Sequence, residues 1–266
     1  MSRTMHKIEI RPGVSIAYED HWFGRPWTVP ETIVMVHGNS ESSRAWIPWV
    51  PLLAGSYRVV RLDLPGFGAS SEPPDYHWST AEIADDIVRF LDALNIPACH
   101  LIGAKYGGSI SLQLASVAAQ RIMSLCIFGS PARGVGTGNA DKIRLKGVRQ
   151  WAAETMRSRL GSTATQAQID WWTDLMGATN QRAAFGSSSS LVAMNLDERL
   201  PLITAPTLIV TTQESGLQTV EVVKQYAARI PDARVIVVDG DSYHIAAVEP
   251  ELCAGHALRF IRGITA

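Results

Sequence analysis

The sequence predicts an α/β protein with a mostly parallel twisted sheet of about eight strands and flanking helices. Short β-branched runs alternate with amphipathic helical patterns, as in parallel strands joined by crossover helices. The alternation breaks once, over 134–200, where helical stretches follow one another without a strand. The length of 266 residues fits one domain with an insertion. We predict a core of residues 1–133 and 201–266, and a helical cap of residues 134–200 inserted after the sixth strand.

The first two predicted strands form an edge hairpin, and the other six are continuous apolar runs typical of central strands buried on both faces. The predicted strands are Lys7–Ile10, Ser15–Glu19, Thr32–Val36, Tyr57–Leu62, Cys99–Ile102, Met123–Phe128, Thr207–Val210 and Val235–Val238. Helical spacing of apolar residues predicts helices over Thr80–Leu94, Gly107–Ala118, Thr219–Arg229 and Pro250–Arg262.

Composition argues against several classes of partner. The chain has 24 basic and 25 acidic side chains and no long run of like charge, so we expect no nucleic-acid partner. The first ten residues contain no apolar signal region, and no apolar stretch reaches the about 20 residues of a membrane span. We therefore expect a cytoplasmic protein without a membrane partner. Its three cysteines, Cys99, Cys126 and Cys253, are expected to be buried free thiols in a reducing compartment.

Three loops at predicted strand ends carry unusual residues. His37-Gly38 is followed by Asn39 and Ser40, where a sharp turn leaves backbone amides free to bind an oxyanion. The segment 103–108, GAKYGG, reads as a strand–turn–helix elbow with small residues around a central Lys105. His244 follows the last strand. Because carboxyl ends of parallel strands meet at one sheet edge, we expect the three loops to converge.

These loops, together with RLDLPGFGAS at 61–70 and ITAPTLIV at 203–210, resemble the α/β-hydrolase fold family. The similarity covers nearly the whole chain and is strongest to the capped branch of epoxide hydrolases, haloalkane dehalogenases and C–C bond hydrolases. It implies a nucleophile position at Lys105, a base at His244, and an acid near Ser215, where Glu214 is the nearest carboxylate. The family nucleophile is Ser, Asp or Cys, so two of the three triad positions depart from the pattern. The resemblance gives Asp63 a role in loop geometry.

A lysine at the elbow changes the chemistry that can be expected. Attack of an amine on an ester gives an amide, so a serine-type acyl-enzyme cycle would stall at Lys105. The helix N-terminus and a water-excluding cap should lower the pKa of Lys105 from about 10.4. A neutral amine suits a Schiff base or a general base. An anionic substrate would instead retain the ammonium form as an electrostatic anchor.

Three hypotheses follow. In the first, an enzyme cleaves a bond next to the carbonyl of a small organic substrate, by hydrolytic C–C or C–O cleavage or by a retro-aldol type of reaction. Lys105 then forms an imine or activates a group, His244 moves protons, and amides near Asn39 and Tyr106 hold negative charge. In the second, His244, oriented by Glu214, activates water while Lys105 polarises the carbonyl. In the third, a catalytically inactive homologue binds a small ligand under its cap.

Further binding residues and the absence of cofactors complete the expectations. Arg44 is a candidate to bind an acidic group of the substrate. Trp151 is a candidate to line an apolar substrate pocket. We expect no metal, because HExxH and paired Cys/His spacings do not occur in the sequence. We expect no organic cofactor either, because a pyridoxal phosphate Schiff base would need a phosphate loop and an acidic partner for the pyridine nitrogen.

Overall fold

The structure, a computed structural model, describes residues 5–136 and 138–265. Residues 1–4 and 266 of the predicted core and residue 137 of the predicted cap lie outside the described residues. Eight strands form one sheet in the order β1-β2-β4-β3-β5-β6-β7-β8. They are β1 (His6–Arg11), β2 (Val14–His21), β3 (Thr32–Val36), β4 (Arg58–Leu62), β5 (Cys99–Ala104), β6 (Ile122–Phe128), β7 (Thr207–Thr212) and β8 (Ala233–Val238).

The α-helices flank the sheet or lie between β6 and β7. They are α1 (Val50–Leu53), α2 (Thr80–Ala93), α3 (Tyr106–Val117), α4 (Asn139–Lys146), α5 (Val148–Leu160), α6 (Gln166–Gly177), α7 (Gln181–Ala193), α8 (Val220–Ala227), α9 (Ile245–Val248) and α10 (Pro250–Thr265). Short 3-10 helices cover Ser43–Trp49, Ala119–Arg121 and Leu200–Leu202. Within the described ranges, no helix combines the length and apolarity needed to cross a bilayer.

The predicted fold class is confirmed. Strands β1 and β2 form an antiparallel hairpin, β2 is antiparallel to β4, and the remaining pairs are parallel. The prediction that Val235–Val238 is a central strand buried on both faces is wrong. Strand β8 pairs only with β7 and lies at the sheet edge, so these four residues are only half-buried.

Side-chain alternation along the strands builds two apolar layers. On β3, Val34 and Val36 contribute to the layer beneath α2, α3 and α8. Ile33 and Met35 contribute to the opposite layer, beneath Ser43–Trp49, α1 and α10. Both faces of the central strands are therefore covered, and the loops at the carboxyl ends are held on a rigid base.

The inserted helices, α4–α7 (residues 139–193), have an apolar core of their own that includes Trp151, Met156 and Trp172. They contact the strand-end loops: the Ser162 N–H donates to the Asp241 carboxylate at 2.9 Å. These helices therefore lie over the carboxyl edge of the sheet. They occupy the segment predicted as a cap, and the boundaries of two domains at residues 134 and 200 stay a prediction.

Candidate active site

The elbow between β5 and α3 holds Lys105 in a strained conformation. Its φ is 51° and its ψ is −117°, a region that costs a non-glycine residue about 1–3 kcal/mol. The glycines that follow allow close packing. A Cβ at Gly107 would overlap the carbonyl oxygens of Val36 and His37, and one at Gly108 would overlap the Ser130 side chain. The small residues read from the sequence are thus required by contacts at the start of α3.

The loop after β3 is braced by His37. The Leu64 N–H donates to His37 Nε2 at 2.9 Å, so Nδ1 carries the proton and donates to the Gly38 carbonyl at 2.8 Å. Asp63, whose oxygens accept from the Ser43 and Ala69 N–H groups at 2.6 and 2.8 Å, supports the same region, which confirms its role in loop geometry.

A buried carboxylate joins the elbow to the histidine loop. Glu41 Oε1 lies 2.5 Å from Lys105 Nζ and 3.0 Å from His244 Nε2. Its other oxygen, Oε2, accepts from the Gly38 N–H at 3.0 Å. The side chains of Glu41, His244 and Lys105 are 0%, 2% and 7% exposed. The three residues form a compact cluster, which we call the Lys105–Glu41–His244 cluster.

Burial and mutual charge set the protonation of this cluster. Burial lowers the pKa of Lys105 to about 8, with a smaller contribution from the Arg159 charge, while Glu41 opposes the change. Burial works to raise the pKa of Glu41, but Lys105 and His244 outweigh it and hold that pKa below its ordinary value. Burial and the Lys105 charge lower the pKa of His244 to about 4. At neutral pH the cluster is a lysine–glutamate ion pair beside a neutral imidazole.

A cavity of about 70 Å³ lies between the elbow and the inserted helices. This space exceeds what a single water molecule needs. Its walls include Asn39, Lys105 and Tyr106 from the core, Trp151 and Arg159 from α5, and Tyr243. The residues best placed to meet a small organic ligand are therefore the elbow lysine and two side chains of α5.

The structure brings most of the predicted site residues together. Lys105, Asn39, Tyr106 and Trp151 line the cavity, and His244 reaches Lys105 through Glu41. Ser40 is fully buried behind this wall, with its Oγ donating to Asn39 Oδ1 at 3.3 Å.

Two predicted residues lie elsewhere. Glu214 is exposed after β7, where its backbone N–H bonds the Gly240 carbonyl, and the carboxylate beside His244 is Glu41 instead. The His244 Nδ1 atom has no hydrogen-bond partner among the described residues, so Glu214 does not orient it. Arg44 is exposed, with its guanidinium 5.8 Å from the Trp171 ring centroid, away from the cavity.

Two important residues were missed from the sequence. Glu41 is the first carboxylate after the His37-Gly38 turn, and this short spacing was the available signal. Arg159 shares the buried face of α5 with Ala152 and Met156 at helical spacing, a position where an arginine is unusual. In the part of the chain that the structure describes, no group of His, Cys, Asp or Glu could hold a metal ion. The three cysteines are free and buried.

Comparison with known proteins assigns the family. A sequence model of the alpha/beta hydrolase fold matches residues 31–250. The chain belongs to the alpha/beta hydrolase fold family. This agrees with the resemblance of the strand-end loops and with the observed sheet.

Individual similar proteins are mostly named as hydrolases. A protein of Variovorax paradoxus that carries the name of a carbamate hydrolase, RutD, is 29% identical over 211 residues, 70% of this chain and 75% of its own. The 2-hydroxymuconate semialdehyde hydrolase of Pseudomonas sp. is 38% identical over 101 residues, 37% of this chain and 36% of its own. The enol-lactonase of Burkholderia xenovorans superimposes with a TM-score of 0.85 at 22% identity, over 94% of this chain and 97% of its own.

These similarities support an alpha/beta-hydrolase-family enzyme. The structural match, at 22% identity, shows the fold alone. Similarity of fold does not fix the chemistry of a site that has Lys105 at the elbow, because chemistry depends on the residues of the site itself.

Proposed function

We propose that the protein is an enzyme that cleaves a bond next to the carbonyl group of a small organic substrate, with Lys105 as the nucleophile. The observation that carries this proposal is the position of Lys105. It lines the cavity from a strained elbow, and burial lowers its pKa to about 8. A lysine prepared in this way supplies a useful fraction of neutral amine near neutral pH.

The reaction begins when the neutral amine attacks the carbonyl carbon. The C–N bond forms as the π electron pair moves to oxygen, beside Asn39 and Tyr106 at the cavity wall. A proton moves from nitrogen to oxygen, which gives a neutral carbinolamine. Glu41 then returns to its hydroxyl the proton that it took from the Lys105 ammonium, and water leaves, which gives a protonated imine. Glu41, 2.5 Å from Nζ, is the group that carries protons to and from the reacting nitrogen and oxygen. His244 acts through Glu41.

The protonated imine then accepts electrons. In a β-hydroxy carbonyl compound, the hydroxyl proton passes to Glu41, the adjacent C–C bond breaks, and its electron pair forms an enamine. Protonation of the enamine carbon and addition of water release the second carbonyl product and free Lys105. A β-diketone follows the same course after water adds to its second carbonyl, and its products are a ketone and a carboxylic acid. The inserted helices serve as a cap that keeps bulk water from the imine.

Reductive trapping tests this proposal. The protein is incubated with small ketones, β-hydroxy ketones, β-diketones, lactones and esters in the presence of borohydride, and intact mass and peptide mapping follow. We expect an adduct on Lys105 that disappears in Lys105→Met and also in Lys105→Arg, which keeps the charge but cannot form the imine. Lys142→Met, at an exposed lysine of α4, is the matched control and should label like the wild type.

The alternatives give different results. Turnover of an ester or lactone without an adduct, retained in Lys105→Arg and lost in His244→Gln, would contradict the imine and leave Lys105 an electrostatic role. The absence of both adduct and turnover would favour a ligand-binding protein. One observation favours this second candidate, the ligand-binding protein. Lys105 forms an ion pair with Glu41 at neutral pH, so the lysine could have a structural role at the position where the family has a nucleophile.

A further inference from the structure

Arg159 is a buried cation for which the described part of the chain supplies no countercharge. The residue is 6% exposed and lines the cavity with Lys105. Among the described residues no carboxylate lies within ion-pairing distance of its guanidinium, and its one side-chain hydrogen bond runs from Nε to Thr155 Oγ1 at 3.0 Å. Neither terminal nitrogen has an acceptor among these described residues. A buried charge is costly unless something pairs with it.

The position of Arg159 is built into the site. Its backbone carbonyl accepts from the His244 N–H at 3.2 Å and from Ser242 Oγ at 3.1 Å. Its guanidinium carbon lies 4.5 Å from the centroid of the Trp151 ring and 6.0 Å from that of Tyr243. Aromatic rings on two sides and a backbone tied to the histidine loop restrict the side chain. Such restraint reduces the entropy lost when a ligand binds.

The charges around the cavity do not balance. Lys105 is compensated by Glu41, and His244 is neutral at neutral pH because burial lowers its pKa to about 4. Arg159 therefore leaves the cavity with one excess positive charge. An anionic ligand would supply the missing charge.

The cleft that leads to the cavity also carries a net positive charge. A neighbouring cleft of about 530 Å³ shares Val135 and Leu217 with the cavity wall. Two arginines of this cleft, Arg133 and Arg229, form ion pairs with the same carboxylate, Asp197. A cleft with one uncompensated positive charge attracts anions toward the inner cavity.

We propose that Arg159 binds the carboxylate group of the substrate, so that the substrate class is a small oxo acid whose carbonyl faces Lys105. The guanidinium presents a planar pair of N–H donors that matches a carboxylate, and charge-assisted bonds of this type are strong and directional. This inference rests on the proposed function for the role of the carbonyl. The carboxylate site itself can be tested without any reaction.

The test uses a probe that cannot form an imine. Propanoate and the uncharged propanamide have similar shapes and lack a reactive ketone, and their binding is followed by NMR titration of the whole protein. We expect propanoate to bind. The affinity for propanamide should be lower by about tenfold or more. Arg159→Gln should weaken propanoate binding by about thirtyfold or more. Arg157→Gln, at an exposed arginine two residues earlier on α5, should bind like the wild type.

A second measurement guards against a misfolded variant. Propanoate should raise the Tm of the wild-type protein more than propanamide at equal concentration, because ligand that binds only the native state stabilises it. Arg159→Lys, which keeps one charge and loses the paired donors, should bind propanoate with intermediate affinity. Equal binding of acid and amide, or undiminished propanoate binding in a folded Arg159→Gln protein, would overturn the inference. Propanoate binding that is lost only in Lys105→Met would also overturn it.

The outcomes separate the inference from the proposed reaction. Arg159-dependent propanoate binding without borohydride adducts would keep the carboxylate site and contradict the imine. Adducts formed equally well from uncharged ketones and oxo acids, without propanoate binding, would support the imine and contradict the carboxylate site.

Discussion

The two walls of the cavity each hold a buried cation, and the two cations differ in whether a carboxylate pairs with them. On the core wall, Lys105 lies 2.5 Å from Glu41, and the two charges compensate each other within the protein. On the wall formed by α5, Arg159 is equally buried and faces the cavity without a carboxylate among the described residues. A paired cation can exchange a proton with its partner, whereas an unpaired one favours an anion from outside. The core wall is suited to chemistry and the α5 wall to recognition.

The largest expected effect is a loss of stability, and it comes from a substitution that breaks the Lys105–Glu41 pair on the core wall. Lys105→Met leaves the Glu41 carboxylate buried and uncompensated, so we expect a loss of about 3–5 kcal/mol in the free energy of unfolding. Adding Glu41→Gln removes the orphaned charge and should restore most of that loss. Denaturant unfolding of the single and double variants measures both.

Arg159→Met is the matched comparison from the other wall. It orphans no protein carboxylate. It removes two cation–π contacts and one hydrogen bond, but it also removes the cost of burying an unpaired charge, so we expect a net loss of about 1–2 kcal/mol. A loss as large as that of Lys105→Met would show that Arg159 has a protein partner of equal weight. The difference between the two walls would then disappear.

A smaller effect concerns the pKa of Lys105. Reductive methylation requires the neutral amine, so its rate at Lys105 should rise through a midpoint at about pH 8. Because Glu41 favours the ammonium form, Glu41→Gln should move the midpoint to lower pH. Because Arg159 disfavours it, Arg159→Gln should move the midpoint to higher pH. Peptide mass mapping at a series of pH values measures the rates, and exposed Lys142 serves as the internal control.

The same pKa change has a consequence for stability. The Lys105 pKa is about 8 in the folded protein and has an ordinary value of 10.5, so the unfolded chain binds more protons between these values. The contribution of Lys105 to stability is therefore present above pH 10.5 and is lost as the pH falls through 8. Wild type should gain stability relative to Lys105→Met across this window. Parallel stability curves for the two proteins would contradict the lowered pKa.

The sequence predicted the sheet and the elbow well because both depend on local patterns. Apolar runs marked β3 and β5, and small residues around Lys105 marked the turn that the contacts of Gly107 and Gly108 require. The edge position of β8 was missed because an apolar run does not reveal how many neighbouring strands it has.

The partners of the charged groups were harder to predict. Glu41 and Lys105 are 64 positions apart, and their contact depends on how the loop after β3 folds back onto the elbow. The place of Glu214 after β7 predicts it as the partner of His244, but its side chain is exposed. Arg159 points into the cavity only because α5 packs over the sheet edge. Contacts between loops of different elements are not encoded by spacing within either one.

The smallest effect tests the junction between the two walls. Asn39 donates from Nδ2 to Ser188 Oγ at 2.9 Å, and its Oδ1 accepts from Ser187 Oγ at 2.7 Å. Asn39→Ala should cost about 1 kcal/mol, because the bond to Ser188 is lost while the Ser187 hydroxyl keeps the Ala183 carbonyl as an acceptor at 2.6 Å. It should also speed amide hydrogen exchange in α7, because the loop no longer holds that helix. Ser189→Ala, whose hydroxyl is exposed and bonds only Phe185 of its own helix, is the control. If amide hydrogen exchange in α7 is the same in both variants, the Asn39 contacts do not couple the two walls. Each wall would then act on the ligand independently.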